Sequence, residues 1–369
     1  MDTNQNSALI EDQPESVISI AVDAMGGDNA PQVNVDGAVI AAKAHPAKIL
    51  LVGDKEQLQP LLQKAYPTGD QIKIVHASES ITMEESPKTA VETKKDSSLI
   101  VAARLVSEGK ADALVSAGST GSVVLSAAKE IQRINGVRRT AIATVYPTMN
   151  ELKRTDNLSL MVDVGANVEC NSEELVQFAI MGASYVGNIR GIEEPKVALL
   201  NIGEESSKGG IKMQDAYRTL KSLPGLNFEG NVEGKDLLRG VVDVVVTEGF
   251  VGNIVIKTLE GAAKTVGALG RLAFNMRLSW KLGLIMLRKG LKFLKEVTDY
   301  SEYGGAPLLG FEKMIIIAHG RSNAKAISNA IKLAGKCVRD DVCGIISERI
   351  RDFEVEPGRE YGRMTEELR

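Results

Sequence analysis

The sequence predicts an α/β protein, a three-layer α/β/α sandwich on a parallel sheet, from three observations. Short apolar runs recur along the chain and are continuous rather than alternating, as strands are when helices cover both faces of a sheet. Longer amphipathic stretches lie between most of them, the strand, turn, helix, strand order of a parallel sheet. The runs stop at small-residue turns that open into helices. Such turns let a ligand approach the backbone and present free N–H groups to an anion.

The predicted strands fall at residues 17–22, 49–52, 72–75, 113–115, 158–162, 197–200, 241–246 and 314–317. Apolar residues at helical spacing over 327–350 predict a C-terminal helix pair or one long helix. No solenoid repeat or low-complexity linker divides the chain, so one α/β unit over 17–353 is expected. A disordered polar lead-in at 1–16 and a charged tail at 354–369 flank it.

Composition bounds the function. The chain has 369 residues, 44% hydrophobic and 25% charged, enough apolar surface for a sizeable core. A formal net charge of -4 with 4% aromatics excludes a basic, base-stacking nucleic-acid module. Cys170, Cys337 and Cys343 match no zinc spacing and read as reduced thiols of a cytoplasmic protein. His45, His76 and His319 are too few for a multi-histidine metal centre. No apolar stretch approaches the roughly 20 residues that span a bilayer.

The segment Arg271 to Lys295 breaks the alternation. It carries Arg277, Lys281, Arg288 and Lys289 among its basic residues, no acidic residue, and Trp280, Leu284, Ile285 and Leu287 among its apolar ones. The pattern predicts a basic amphipathic helix or helical hairpin, an insertion over 271–296, that meets a membrane surface or an acidic partner. A helix packed in the core or between subunits, with a solvated basic face, is the competing reading.

Several turns carry candidate chemistry. Asp23-Ala24-Met25-Gly26-Gly27 follows the first strand, and Asp23 there is either a ligand contact or a cap. Neither G-x-G-x-x-G after this strand nor a Walker A motif is present, which argues against a dinucleotide fold and a P-loop ATPase. Ser116-Ala117-Gly118-Ser119-Thr120-Gly121-Ser122 offers backbone and hydroxyl donors to phosphate, or a simple helix cap. Asp163-Val164-Gly165-Ala166-Asn167 is a third such turn. Lys208 sits in a glycine-bounded loop from Gly203 to Gly210, where it neutralises a phosphate or oxyanion, or is an exposed loop charge. Asn253 orients a substrate oxygen through its amide or caps the helix after Gly249. The segment 299–307 has the composition of a clamp loop with aromatic walls. His319 stands at a strand end, within reach of a phosphate, or serves structure alone. No Ser-His-Asp or Cys-His pattern stands out, so the chemistry fits an enzyme whose nucleophile is phosphate itself.

Taken together, AVDAMGGDNAP, LVGD, VSAGSTG, MVDVGANVEC, LLNIGEESSKG, NVEGKDLL, VVVTEGFVGNIVIKTLEG, DYSEYGGAPLLG and AHGRSNAKA resemble the bacterial phosphate acyltransferases of glycerolipid synthesis, in the family's order and over about Ile18 to Ile346. The resemblance implies a Rossmann-like fold of the isocitrate/isopropylmalate dehydrogenase and phosphotransacetylase kind, with a protruding amphipathic hairpin. It implies conversion of acyl-(acyl carrier protein) and inorganic phosphate to acyl-phosphate, which a membrane acyltransferase passes to glycerol 3-phosphate. It places a catalytic lysine at Lys208 and a catalytic asparagine at Asn253, and it implies a homodimer held peripherally at the inner face of the membrane. No cofactor is implied. Ser119 stands where the family often has asparagine, and either residue donates to phosphate. The alternative is a phosphotransacetylase or butyryltransferase acting on coenzyme A thioesters. A metal-dependent dehydrogenase and a membrane-surface scaffold that binds acyl carriers are more distant rivals.

Overall fold

The computed structural model describes residues 17–276, 279, 283, 286, 287 and 304–355. Eleven strands form one sheet: β1 (Ser19–Asp23), β2 (Lys48–Gly53), β3 (Ile72–His76), β4 (Ala113–Ser116), β5 (Ala141–Pro147), β6 (Leu158–Val162), β7 (Val197–Leu200), β8 (Phe228–Val232), β9 (Val244–Val246), β10 (Ala306–Leu309) and β11 (Met314–Ile317). Their order across the sheet is β3-β2-β1-β4-β11-β10-β5-β6-β9-β7-β8. The helices that matter for the site are α1 (Gln32–Ala44), α2 (Lys55–Ala65), α3 (Pro87–Thr93), α4 (Ser98–Ser107), α5 (Thr120–Glu130), α6 (Ser172–Arg190), α7 (Gly210–Ser222), α8 (Gly249–Met276), α9 (Ala324–Arg339) and α10 (Val342–Val355). The C-terminal stretch is therefore a helix pair, broken at Asp340 and Asp341, where Asp341 takes a positive φ of 47°.

The three-layer α/β/α arrangement is present, and alternate residues of each strand supply its two cores. Ile20, Val22, Val115, Ile316, Leu160, Val162, Val244 and Val246 share one buried cluster with Val35 of α1, Phe178 of α6 and Ile327 of α9. Their neighbours face the other layer, which holds two separate clusters. Ala21, Leu114, Ile315 and Ile317 pack with Leu99 and Ala103 of α4 and Val123 of α5. Met161, Ala198 and Val245 pack with Ile256 of α8. Val164 packs against both clusters.

The expectation of a parallel sheet needs one correction. The β10 strand is antiparallel to β11 and to β5, and β5 is antiparallel to β6. The remaining pairs, from β3 to β11 and from β6 to β8, are parallel. Three reversals in succession leave the β1, β4 and β11 group running opposite to the β6, β9, β7 and β8 group. The glycine turns that end the strands therefore lie on two opposite edges of the sheet, three on each, rather than on one.

Candidate active site

At the first edge, Asp23, Ser116 and Ile317 stand abreast in register at the ends of β1, β4 and β11. Asp23 is buried, and its carboxylate accepts from Ser98 Oγ at 2.6 Å, Ser116 Oγ at 2.7 Å and Met25 N at 3.3 Å. Burial pushes its pKa above the ordinary carboxylate value, and the serine bonds oppose that rise. The side chain faces into the protein, where these bonds shape the turn. A Cβ on Gly26 would overlap this carboxylate and lie 2.9 Å from Gly118 N, so only glycine fits there. Buried Asn34 of α1 holds the same turn by donating to Ala24 O and Gly26 O, both at 2.9 Å.

The neighbouring turns lock onto this one. A Cβ on Gly27 (φ +104°) would sit 3.1 Å from Ala117 Cβ and 3.2 Å from Gly320 O, and Asp28 N donates to Gly320 O at 2.8 Å. Gly118 N donates to Ser116 Oγ at 3.0 Å, so this N–H is already used. Ser119 is the residue before α5 and makes no side-chain cap bond, and Thr120 is exposed beside Gly121. His319 follows β11. Its Nδ1 accepts from Arg321 N at 3.2 Å, so the neutral ring carries its proton on Nε2 as a donor. His319 is exposed, and its partial desolvation lowers its pKa first; the positive charges of Lys257 and Lys264 on α8 and of Arg321 add to that, while Glu260 opposes it.

At the second edge, fully buried Asp163 follows β6. It accepts from Ile142 N, Gly165 N and Ala166 N at 3.0 Å each, and from Asn167 N at 2.8 Å and Asn167 Nδ2 at 2.9 Å. Asn167 Nδ2 also donates to Thr140 O at 2.8 Å, so this predicted phosphate ligand has its amide nitrogen committed to the loop. The start of α8 presses on this loop: a Cβ on Gly252 would overlap Asp163 O, and one on Gly249 would overlap Asn167 O.

Asn253 is exposed in the second turn of α8, with Gly165 against it; a Cβ on Gly165 would lie 3.9 Å from Asn253 Cβ. Since α8 already begins at Gly249, Asn253 is no cap, and its amide is available to a ligand. Lys208 lies on the same edge, in the loop after β7, which pairs with β9, the strand that leads to α8. Asn201 Nδ2 donates to Lys208 O at 3.2 Å, and Asn231 Nδ2 to Glu205 O at 2.9 Å. The Lys208 side chain is 45% exposed, and its ion pair with Glu205 is long, at 4.0 Å. An ion pair between Lys212 and Glu248 ties α7 to the start of α8.

The predicted site residues thus form two groups. Asp23, Gly26, Gly27, Gly118, Ser119, Thr120, Gly121 and His319 lie at one edge, and Asn167, Lys208 and Asn253 at the other. Lys208 and the Gly118–Gly121 turn are therefore not neighbours within one chain. The connection is α8, which starts beside Asp163 and carries Lys257, Glu260 and Lys264 to where their charges act on His319. Ser98 and Asn34 escaped the sequence reading, and Ser116, read as part of a phosphate-binding turn, donates instead to Asp23; only the polar Asn34 inside the apolar stretch of α1 hinted at a special role.

Other chemistry is poorly provided for. Burial pushes the Cys170 and Cys343 thiols up to about 12, and that of Cys337 upward too, so none is a thiolate nucleophile. Among the described residues no three His, Cys, Asp or Glu side chains converge as metal ligands. In the expected clamp loop, Gly305 is the turn into β10, since a Cβ there would lie 2.8 Å from Ile317 O, while residues 299–303 lie outside the described residues. Of the expected membrane or carrier contacts, Arg277, Trp280, Lys281, Leu284, Ile285, Arg288 and Lys289 also lie outside them, and Leu287 is exposed. No helix among the described residues is long and apolar enough to cross a membrane.

Comparison with known proteins places the chain. The profile of the family described as "Fatty acid synthesis protein" matches residues 18–345. A protein of Dictyoglomus turgidum named phosphate acyltransferase is 47% identical over 327 residues, 88% of this chain and 95% of its own length. One of the same name from Geobacter sulfurreducens is 46% identical over 331 residues, covering 90% of this chain and 94% of the relative. Among solved structures, a phosphotransacetylase from Streptococcus pyogenes superposes with a TM-score of 0.57 at 17% identity, over 91% of this chain and 94% of that one, a likeness of fold. The chain belongs to the fatty acid synthesis protein family, alongside these phosphate acyltransferases.

Proposed function

We propose that this protein is a phosphate acyltransferase that moves an acyl group from the thioester of an acyl carrier protein to inorganic phosphate. The observation that carries this reading is the half-exposed, loosely paired Lys208 and the exposed Asn253 on one edge of the sheet, joined through α8 to the hydroxyl and imidazole donors of the other. In the reaction a phosphate oxygen attacks the thioester carbonyl, the new C–O bond forms and the C–S bond breaks. The sulfur leaves as thiolate and takes up the proton that hydrogen phosphate loses. Lys208 and Asn253 stabilise the developing oxyanion, the role for which a cation and an amide N–H donor suit it best. Neither a protein nucleophile nor a cofactor is needed.

The test is thioester consumption with palmitoyl-(acyl carrier protein), with and without inorganic phosphate, the product being trapped with hydroxylamine. Phosphate-dependent acyl hydroxamate is the expected result. Turnover of a coenzyme A thioester alone would move the assignment to a phosphotransacetylase, and silence with both would remove the activity.

The acyl-phosphate so formed suits a membrane acyltransferase that acylates glycerol 3-phosphate, and the enzyme works as a homodimer on the inner face of the membrane. Support comes from the far half of α8: residues 261–272 are exposed on every side, with Val266, Leu269, Leu272 and Met276 among them. Co-sedimentation with anionic vesicles, against Leu284→Glu combined with Leu287→Glu, tests the membrane contact; unchanged binding by this variant removes the segment as anchor. Light scattering of the purified protein tests the dimer, and a monomeric mass removes it.

A further inference from the structure

Lys208 stands in a loop that side-chain amides hold in shape. Residues 201–209 join β7 to α7, and three amides each donate to one carbonyl of that stretch. Asn231 Nδ2 donates to Glu205 O at 2.9 Å, Gln214 Nε2 to Ser207 O at 2.7 Å, and Asn201 Nδ2 to Lys208 O at 3.2 Å. An amide donor orders a backbone without bringing a charge, so none of these bonds neutralises the Lys208 ammonium. Glu205 O is the centre of the arrangement, because it also accepts from Lys208 N at 3.1 Å and closes the turn that carries the lysine. The aliphatic stem of Lys208 lies along Gly203, where a Cβ would stand 3.0 Å from its Cγ and 3.2 Å from its Cε. Gly209 completes the loop at a φ of +85°, and a Cβ there would overlap the amide of Asn201.

Of the three amides only Asn231 is buried, at 8% exposure. It stands on β8 opposite Leu199 of β7, one residue before Val232, whose O accepts from Asn201 N at 2.9 Å. The loop is thereby fastened to the sheet at the point where β7 ends. Asn231 Oδ1 is buried and has no hydrogen-bond partner among the described residues. A buried acceptor without a donor is destabilising. Its neighbours Leu199 and Val232 are buried too, so this end of the sheet accepts apolar side chains. Stability alone therefore favours an aliphatic residue at this position. What an aliphatic residue lacks is the N–H that reaches Glu205 O.

We infer that Asn231 is a positioning residue for Lys208: through the carbonyl of Glu205 it fixes the turn from which the ammonium reaches the thioester carbonyl. The inference rests on the proposed acyl transfer, in which Lys208 stabilises the oxyanion, and it gives Asn231 no contact with either substrate. Asn231→Val removes the orphaned acceptor together with the donor, while Glu205 O keeps Lys208 N. The urea midpoint should hold or rise. The kcat should fall about tenfold to a hundredfold, the scale of a misplaced catalytic group, with the KM for phosphate and for the carrier thioester little changed. A lower midpoint with kcat per folded molecule unchanged is the mark of a structural residue and overturns the inference. Asn231→Asp keeps the size of the side chain but sets a carboxylate oxygen against Glu205 O, and it should lose kcat in the same way. In a Lys208→Ala background Asn231→Val should cost no further activity, since its effect runs through the lysine. An equal fold-loss in that background overturns the route.

Hydrogen exchange of the full chain reads the same contact without turnover. In Asn231→Val the amides of residues 202–209 should exchange faster, with those of β7 and β8 unchanged. Exchange in this loop equal to wild type, or faster exchange spread through β7 and β8, overturns the inference. If the wild-type protein forms no acyl-phosphate, the proposed reaction falls, and the exchange result still decides whether Asn231 orders the Lys208 loop.

Discussion

The two strand-end turns built on Asp23 and Asp163 use one device with different ligands. In each, a buried carboxylate at the end of a strand organises a glycine turn. Asp23 is held mainly by the hydroxyls of Ser98 and Ser116, from two other elements. Asp163 is held by a ring of backbone N–H groups, most from its own loop, and by Asn167. A hydroxyl rotates to another acceptor when its partner changes, whereas a backbone N–H in a closed loop cannot. The Asp163 turn, against which the start of α8 and Asn253 are packed, is the stiffer of the two, and the Asp23 turn is more adjustable.

This contrast breaks most readily at Asp163. Asp163→Ala strands several buried N–H donors and should cost about 4 kcal/mol, read as a lower urea midpoint with an unchanged slope. Lys208→Ala should leave that midpoint in place and lower turnover about a hundredfold; near-normal turnover removes the lysine from the chemistry. Asp23→Ala should cost about 2 kcal/mol, because the two serines find other partners. A loss equal to that of Asp163→Ala would erase the distinction between the turns.

The smallest effect is in pH. The folded-state pKa of His319 lies below its ordinary value of 6.5, with partial desolvation the main cause. Between those two values the unfolded chain binds more protons, so stability falls as pH drops through 6.5 toward the folded value. The folded-state pKa of Asp23 lies above its ordinary 3.8, so its window, which opens at 3.8, runs the other way, with stability lost as pH rises. His319→Gln should flatten the decline below pH 6.5 in denaturant titrations and leave the Asp23 contribution untouched.

The continuous apolar runs made β1, β2, β3, β4, β6, β7, β9 and β11 legible, because a strand covered on both faces needs nothing but apolar residues. The strands that escaped are those with a different chemistry. The edge strand β8 carries Glu229 and Asn231. The β10 strand begins after two positive-φ glycines and contains Pro307. The β5 strand carries Thr144 inside its run. Missing β5 and β10 had a large consequence, since their antiparallel pairings reverse the second half of the sheet. The pairing of β10 with β5 joins segments far apart in sequence and leaves no local periodicity, so the turns were legible one by one and their division between two edges was not. For the same reason Ser98, 75 residues from Asp23, could not be read as its partner.

That helix also has mechanical consequences. With 28 residues at a rise of about 1.5 Å each, α8 is about 42 Å long, and buried Ile256 anchors it near its start. As a stiff rod pivoting at Ile256, it has a short arm of about 4.5 Å to Asn253 and a long arm of about 30 Å to Met276. A push at Met276 reaches the Asn253 amide reduced roughly sevenfold, by the ratio of those arms. The exposed part of α8 around Leu269 and Met276 can be displaced while Asn253 hardly moves.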